Sequence, residues 1–96
     1  MNMQNLMAQA QKMQRDIQKK KEEIDGMTFE VKNELVKVVF NGKKEMVSIE
    51  LSKDIDLSDL EALEDMIVLA SKDAIKQIEK VTEEKMGSFG SLGGLF

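Results

Sequence analysis

Lys12, Arg15 and Lys19 recur at i, i+3 and i+7, a spacing that stacks three cations on one side of an α-helix. Gln4, Asn5, Gln11 and Gln18 accompany them, and no acid precedes Asp16. Cations neutralise phosphates, and side-chain amides donate hydrogen bonds to backbone oxygens, so such a face suits a polyanion. The plainer alternative is a solvated helix surface, which is what a run of charge usually means. Lys72, Lys76 and Lys80 form a second stripe at i, i+4 and i+8. Glu79 and Glu83 stand beside that stripe, so ordinary ion pairing is the first expectation there.

Other chemistry is excluded by inventory. The 96 residues include no His and no Cys, which removes the imidazole base, the thiol nucleophile and the usual nitrogen and sulfur ligands of zinc. Asp54, Asp56 and Asp59 lack the glycine turn and distal Glu of a calcium loop, and read as the approach to a helix. The glycines between 87 and 94 fit no phosphate-loop pattern. No cofactor, no metal and no catalytic site are therefore expected. The chain carries a net charge of −4, and residues 52–96 hold ten acids against five lysines. Acidity of that kind opposes broad attraction to nucleic acid or membrane, so any polyanion contact must be local to the N-terminal face. With no apolar run near the roughly 18 residues of a membrane span and no disulfides, a cytoplasmic protein without membrane association is expected.

The elements that would position these residues follow from hydrophobic period. Met3, Leu6, Ala10, Met13, Ile17, Ile24 and Met27 follow a 3-4 spacing, interrupted by Lys20, which predicts one helix from residue 3 to Asp25-Gly26. Such a helix would run roughly 35 Å, longer than a domain of this size requires, so part of it should project or pack on a partner. Met27, Phe29 and Val31 alternate with polar neighbours as a strand does. Val36, Val38 and Phe40 share a face, and Asn41-Gly42 offers a two-residue hairpin turn. Val47, Ile49 and Leu51 are expected to share the inner face of a third strand, opposite Met46, Ser48 and Glu50. Lys37 should point to solvent. Ser58 and Glu61 match a capping box opening a second helix, with Leu60, Leu63, Ile67, Ala70, Ala74, Ile78 and Val81 as its apolar stripe. The fold class expected is α+β: long helix, three-stranded antiparallel meander, helix.

A single domain over residues 1–86 and a flexible Gly-rich tail over 87–96 complete the organisation. Four Phe and no Trp or Tyr leave the core to aliphatics and to some of the eight Met, and a globule this small buries only roughly 60 to 65% of its unfolded surface. A second copy would supply the missing apolar area, so a homodimer is expected. Its contact is expected along Met3, Leu6, Ala10, Met13 and Ile17.

In order along the chain, Leu6-Met7-Ala8-Gln9-Ala10-Gln11-Lys12-Met13-Gln14, Val36-Lys37-Val38 running to Asn41-Gly42, Val47-Ser48-Ile49, Leu63-Glu64-Asp65-Met66 through Asp73-Ala74, and Glu84-Lys85-Met86 carry a resemblance. The set resembles the YbaB/EbfC family of bacterial nucleoid-associated proteins. That resemblance implies a homodimer with helices projecting like tweezers, binding to duplex DNA, a nucleoid location, roles in nucleoid organisation and gene regulation, and no enzymatic activity. Contacts through the first and last helices of the family carry over to Lys12, Arg15 and Lys19, and in second place to Lys72 and Lys76. The competing class is a non-catalytic adaptor that docks a partner protein through its Met-rich seam and the apolar residues of its tail.

Overall fold

A computed structural model describes residues 2–87. Helix α1 spans Met3–Asp25, and Asn2 caps it by accepting a hydrogen bond from the Gln4 amide at 2.8 Å. It ends where the Gly26 amide donates to the Glu22 carbonyl at 3.1 Å. Strands β1 (Thr28–Lys32), β2 (Val36–Asn41) and β3 (Met46–Leu51) then form an antiparallel sheet in the order β1-β2-β3. Helix α2, Leu60–Met86, closes the described chain. Both helices, the meander and the α+β class agree with the sequence reading. The expectation of a flexible tail concerns, from 88 to 96, residues that lie outside those described.

The core forms where α2 lies across β1 and β2. Phe29, Val36, Val38 and Phe40 from the sheet meet Ala70, Ala74 and Ile78 from the helix, and all are buried. Ala70 and Ala74 keep only a methyl group at the contact, which lets the helix backbone approach the sheet closely. Asn33 ties the two layers together. Its Oδ1 accepts from the amides of Leu35 and Val36, both at 3.0 Å, while its Nδ2 donates to the Met66 carbonyl at 2.9 Å.

Three local expectations are corrected. The β2–β3 connection is not a two-residue turn. The Asn41 amide donates to the Glu45 carbonyl, Asn41 Oδ1 accepts from the Lys43 and Glu45 amides, and Lys44 takes the left-handed position at φ 66°. Gly42 is needed for a different reason: a Cβ there would stand 1.7 Å from the Ile24 carbonyl oxygen. The turn is pressed against the end of α1, and only glycine fits that approach.

The inner face of β3 also differs. Val38 pairs with Ile49 and Val36 with Leu51, but Phe40 pairs with Met46 and Val39 with Ser48. Val47 is therefore the extra residue of a bulge, and Met46 joins Ile49 and Leu51 on the side of the core-facing residues. Finally, Ser58 does not cap α2. Its hydroxyl and amide both donate to Asp56 Oδ1, at 2.6 and 2.9 Å, and Asp59 becomes the cap, accepting from the Ala62 amide at 3.2 Å. Those two hydrogen bonds hold the Asp56 carboxyl below its ordinary pKa of 3.8.

Candidate nucleic-acid interface

Helix α1 packs on the domain only through its last turns. Ile24 is buried and Ile17 half-buried, whereas Met3, Leu6, Ala10 and Met13 are exposed, Met3 by 74%. The seam thus changes character along its length. Its C-terminal end meets α2 near Ile78, Thr82 and Met86, around a cleft of about 420 Å³. Its N-terminal two-thirds carry their apolar side chains into the open, and the molecule extends 70 Å along its longest axis.

Lys12, Arg15 and Lys19 are exposed on this projecting part. Nine residues, or two and a half turns, separate Arg15 from Ile24, so the cations point away from the side that touches the domain. None of the three forms a salt bridge among the described residues. Nearby, Gln18 donates to Glu22 at 3.1 Å, which engages one of the few acids of the helix. Gln11, Gln14, Arg15, Gln18 and Lys21 line a shallow groove beside the cations. The arrangement offers exposed positive charge and amide donors along a rod, with no acid in its first turn.

Lys72 and Lys76 are exposed on α2, on the outer side from Ala70, Ala74 and Ile78. Neither lysine forms a salt bridge among the described residues. Glu79, expected to pair within this stripe, instead meets Lys44 of the β2–β3 turn at 3.4 Å. The turn places Lys43 and Lys44 beside Lys21 at the rim of the cleft. Sequence spacing gave no sign of that cluster, because it depends on the close contact of Gly42 with Ile24. Lys37 faces away from the core as expected. It bridges Glu50 at 3.1 Å and Glu30 at 3.6 Å, and the Glu50 hydrogen bond, followed by the Glu30 charge, holds its ammonium above its ordinary pKa of 10.5.

The model of the YbaB/EbfC DNA-binding family matches residues 1–94. The chain belongs to this family. A nucleoid-associated protein of Lactococcus lactis subsp. lactis is 48% identical over 92 residues, covering 93% of each chain. One from Streptococcus uberis is 44% identical with the same coverage. The crystal structure of an uncharacterized Helicobacter pylori protein superposes with a TM-score of 0.70 at 25% identity, covering 97% of this chain and 99% of that one. Family and relatives together mark a bacterial nucleoid-associated DNA-binding protein and not an enzyme. Among the described residues no helix is long and apolar enough to cross a membrane.

Proposed function

We propose that two copies of this chain bind duplex DNA in the bacterial nucleoid, each presenting the Lys12, Arg15 and Lys19 face of α1 to the phosphate backbone. The observation that carries this reading is that face itself: three cations free of salt bridges among the described residues, on a helix that projects from its domain, in a DNA-binding family. Binding proceeds by displacement of counterions, so it reads backbone and shape more than base identity. Organisation of the nucleoid, and an influence on gene expression where the dimer sits, are the roles such binding serves. Lys72 and Lys76 are the secondary contact. The apolar seam Met3, Leu6, Ala10, Met13 and Ile17 contributes to the contact between copies, since nothing among the described residues covers its N-terminal part.

The test is a titration of the protein against duplex DNA at several salt concentrations. Two α1 faces neutralise about six phosphates, which gives a slope of log K against log salt of about −5. Absence of binding at low salt would transfer the case to the adaptor reading, in which the exposed methionines dock another protein.

A further inference from the structure

Between the apolar seam of α1 and its cations lies a third stripe. Gln4, Met7, Gln11, Gln14 and Gln18 repeat the 3-4 spacing of the seam one residue out of phase with it. At 3.6 residues per turn they form a ridge roughly 100° around the helix from the seam, and about 90° from Lys12, Arg15 and Lys19 on the other side. All five are exposed, Met7 by 59%, and none is charged. Gln18 donates to Glu22, whereas the side chains of Gln4, Gln11 and Gln14 make no hydrogen bond among the described residues. The ridge therefore presents free amide donors and acceptors to whatever α1 meets.

Cations stand on both flanks of this ridge. Lys12, Arg15 and Lys19 occupy one. On the other is Lys21, about 60° around the helix from the ridge, and Lys43 and Lys44 of the β2–β3 turn join it at the rim of the cleft. Lys21 lines that cleft and also the groove of Gln11, Gln14, Arg15 and Gln18, so the two basic groups border one continuous surface. The acids nearby are engaged or withdrawn. Glu79 pairs with Lys44 at 3.4 Å, Glu45 accepts from the Asn41 side chain at 2.8 Å, and Asp25 is half-buried in the cleft. Lys43 forms no salt bridge among the described residues.

An uncharged amide ridge between two basic flanks fits one part of a duplex. With its side chains a helix is about 10–12 Å across, and the major groove is about 12 Å wide with a phosphate strand along each wall. A helix seated there turns its ridge to the base edges and its flanks to the two walls. Glutamine matches adenine, donating to N7 while its oxygen accepts from the N6 amino group, and an apolar side chain such as Met7 meets the thymine methyl. From Gln4 to Gln18 the ridge runs about 21 Å, the rise of about six base pairs. Resting on the DNA-binding function proposed above, we propose that α1 enters the major groove and that Gln11 and Gln14, with Met7 beside them, read A·T pairs there. The phosphate contacts supply most of the affinity, and the ridge adds a preference among sequences.

The experiment titrates the full chain against two duplexes of equal length, one A·T-rich and one G·C-rich, at fixed salt. The parent should favour the A·T-rich duplex by about tenfold. Gln11→Ala and Gln14→Ala together should abolish that preference, while affinity for the G·C-rich duplex and the salt slope stay as in the parent. Both positions are exposed and alanine is the stronger helix former, so α1 is kept, which circular dichroism verifies. A third duplex, the A·T-rich one with 7-deazaadenine, lacks only the N7 acceptor in the major groove. The parent should bind it no better than the G·C-rich duplex, and this arm decides on its own should the variant not fold. A preference that survives either change overturns the proposal, since it then arises from minor-groove width or duplex shape. Equal parental affinity for the first two duplexes, with a salt slope of about −5, also overturns it and leaves the phosphate-binding function standing. No binding to any duplex at low salt sinks that function and this inference together.

Discussion

Gly42 holds a position that no other residue type fits. A Cβ there would lie 1.7 Å from the Ile24 oxygen and 2.4 Å from the Ile24 carbonyl carbon, both backbone atoms. Gly42→Ala should cost about 1–3 kcal/mol by overpacking. A thermal melt should register that as a fall in Tm on the order of 10 °C. At the start of α2, Asp59→Ala should cost about 1 kcal/mol through loss of the cap, and Ser58→Ala clearly less. Equal losses in urea titrations would restore Ser58 as the cap. The two shifted groups set opposite pH limits. Lys37, raised above 10.5, lends stability that is complete below that value and disappears as pH climbs through the higher folded value. Asp56, lowered from 3.8, lends stability that is present above that value and lost as pH falls through the folded one. Asp56 is exposed and Lys37 partly so, and their effect should appear as shallow shoulders at the two ends of a pH–Tm profile, with a plateau between.

At the scale of the element, α1 was the most legible part of the chain. Its 3-4 period, its freedom from glycine and the Asp25-Gly26 stop predicted residues 3 to 25, which are its observed limits. The period is a local signal, and a long helix repeats it many times. Strand β3 was less legible. Its alternation holds from Ser48 to Leu51, but the bulge at Val47 brings Met46 to the inner face, a change of register that spacing alone does not show. Asp56 captured Ser58 for a similar reason: two good hydrogen-bonding partners competed, and spacing alone does not rank them. For the candidate site, the cations of α1 were readable because all three sit on one helix. The gathering of Lys21, Lys43 and Lys44 was not, because it requires the folded contact. Replacing Lys12, Arg15 and Lys19 by Glu should weaken binding to all DNA sequences about equally and flatten the salt slope, with the dimer intact. If that triple variant binds as tightly as the parent in fluorescence anisotropy, Lys72 and Lys76 become the leading contact.

The whole molecule is unusually extended for its mass. Its radius of gyration is 19.0 Å, against about 12–13 Å for a compact chain of this length. The buried hydrophobic residues among those described run from Ile24 to Met86. Gly90, Gly93 and Gly94 raise the entropic cost of ordering the segment that follows, so truncation after Gly87 is expected to leave Tm within about 2 °C of the parent. A larger loss would give the removed segment a part in the core or the dimer. On the proposed dimer, stability should instead depend on protein concentration, because a second copy would close the apolar area that one copy leaves open. Differential scanning calorimetry over a hundredfold dilution should show Tm falling, and an unchanged Tm would argue for a self-sufficient monomer.

The seat of Gly42 on the end of α1 also has a mechanical meaning. α1 is a lever of about 34 Å, held at its base by the burial of Ile24 near α2 and by the glycine-sized clearance at residue 42. A swing of about 5° at that base displaces the tip by roughly 3 Å, close to the 3.4 Å of helix axis per phosphate of one strand. In a two-fold dimer both levers swing together, so the error in span between their tips is doubled. The clearance at residue 42 therefore sets the gauge of the particle. An alanine tolerated there by tilting, without unfolding, should yield a folded dimer whose cations are all present yet out of step with the duplex.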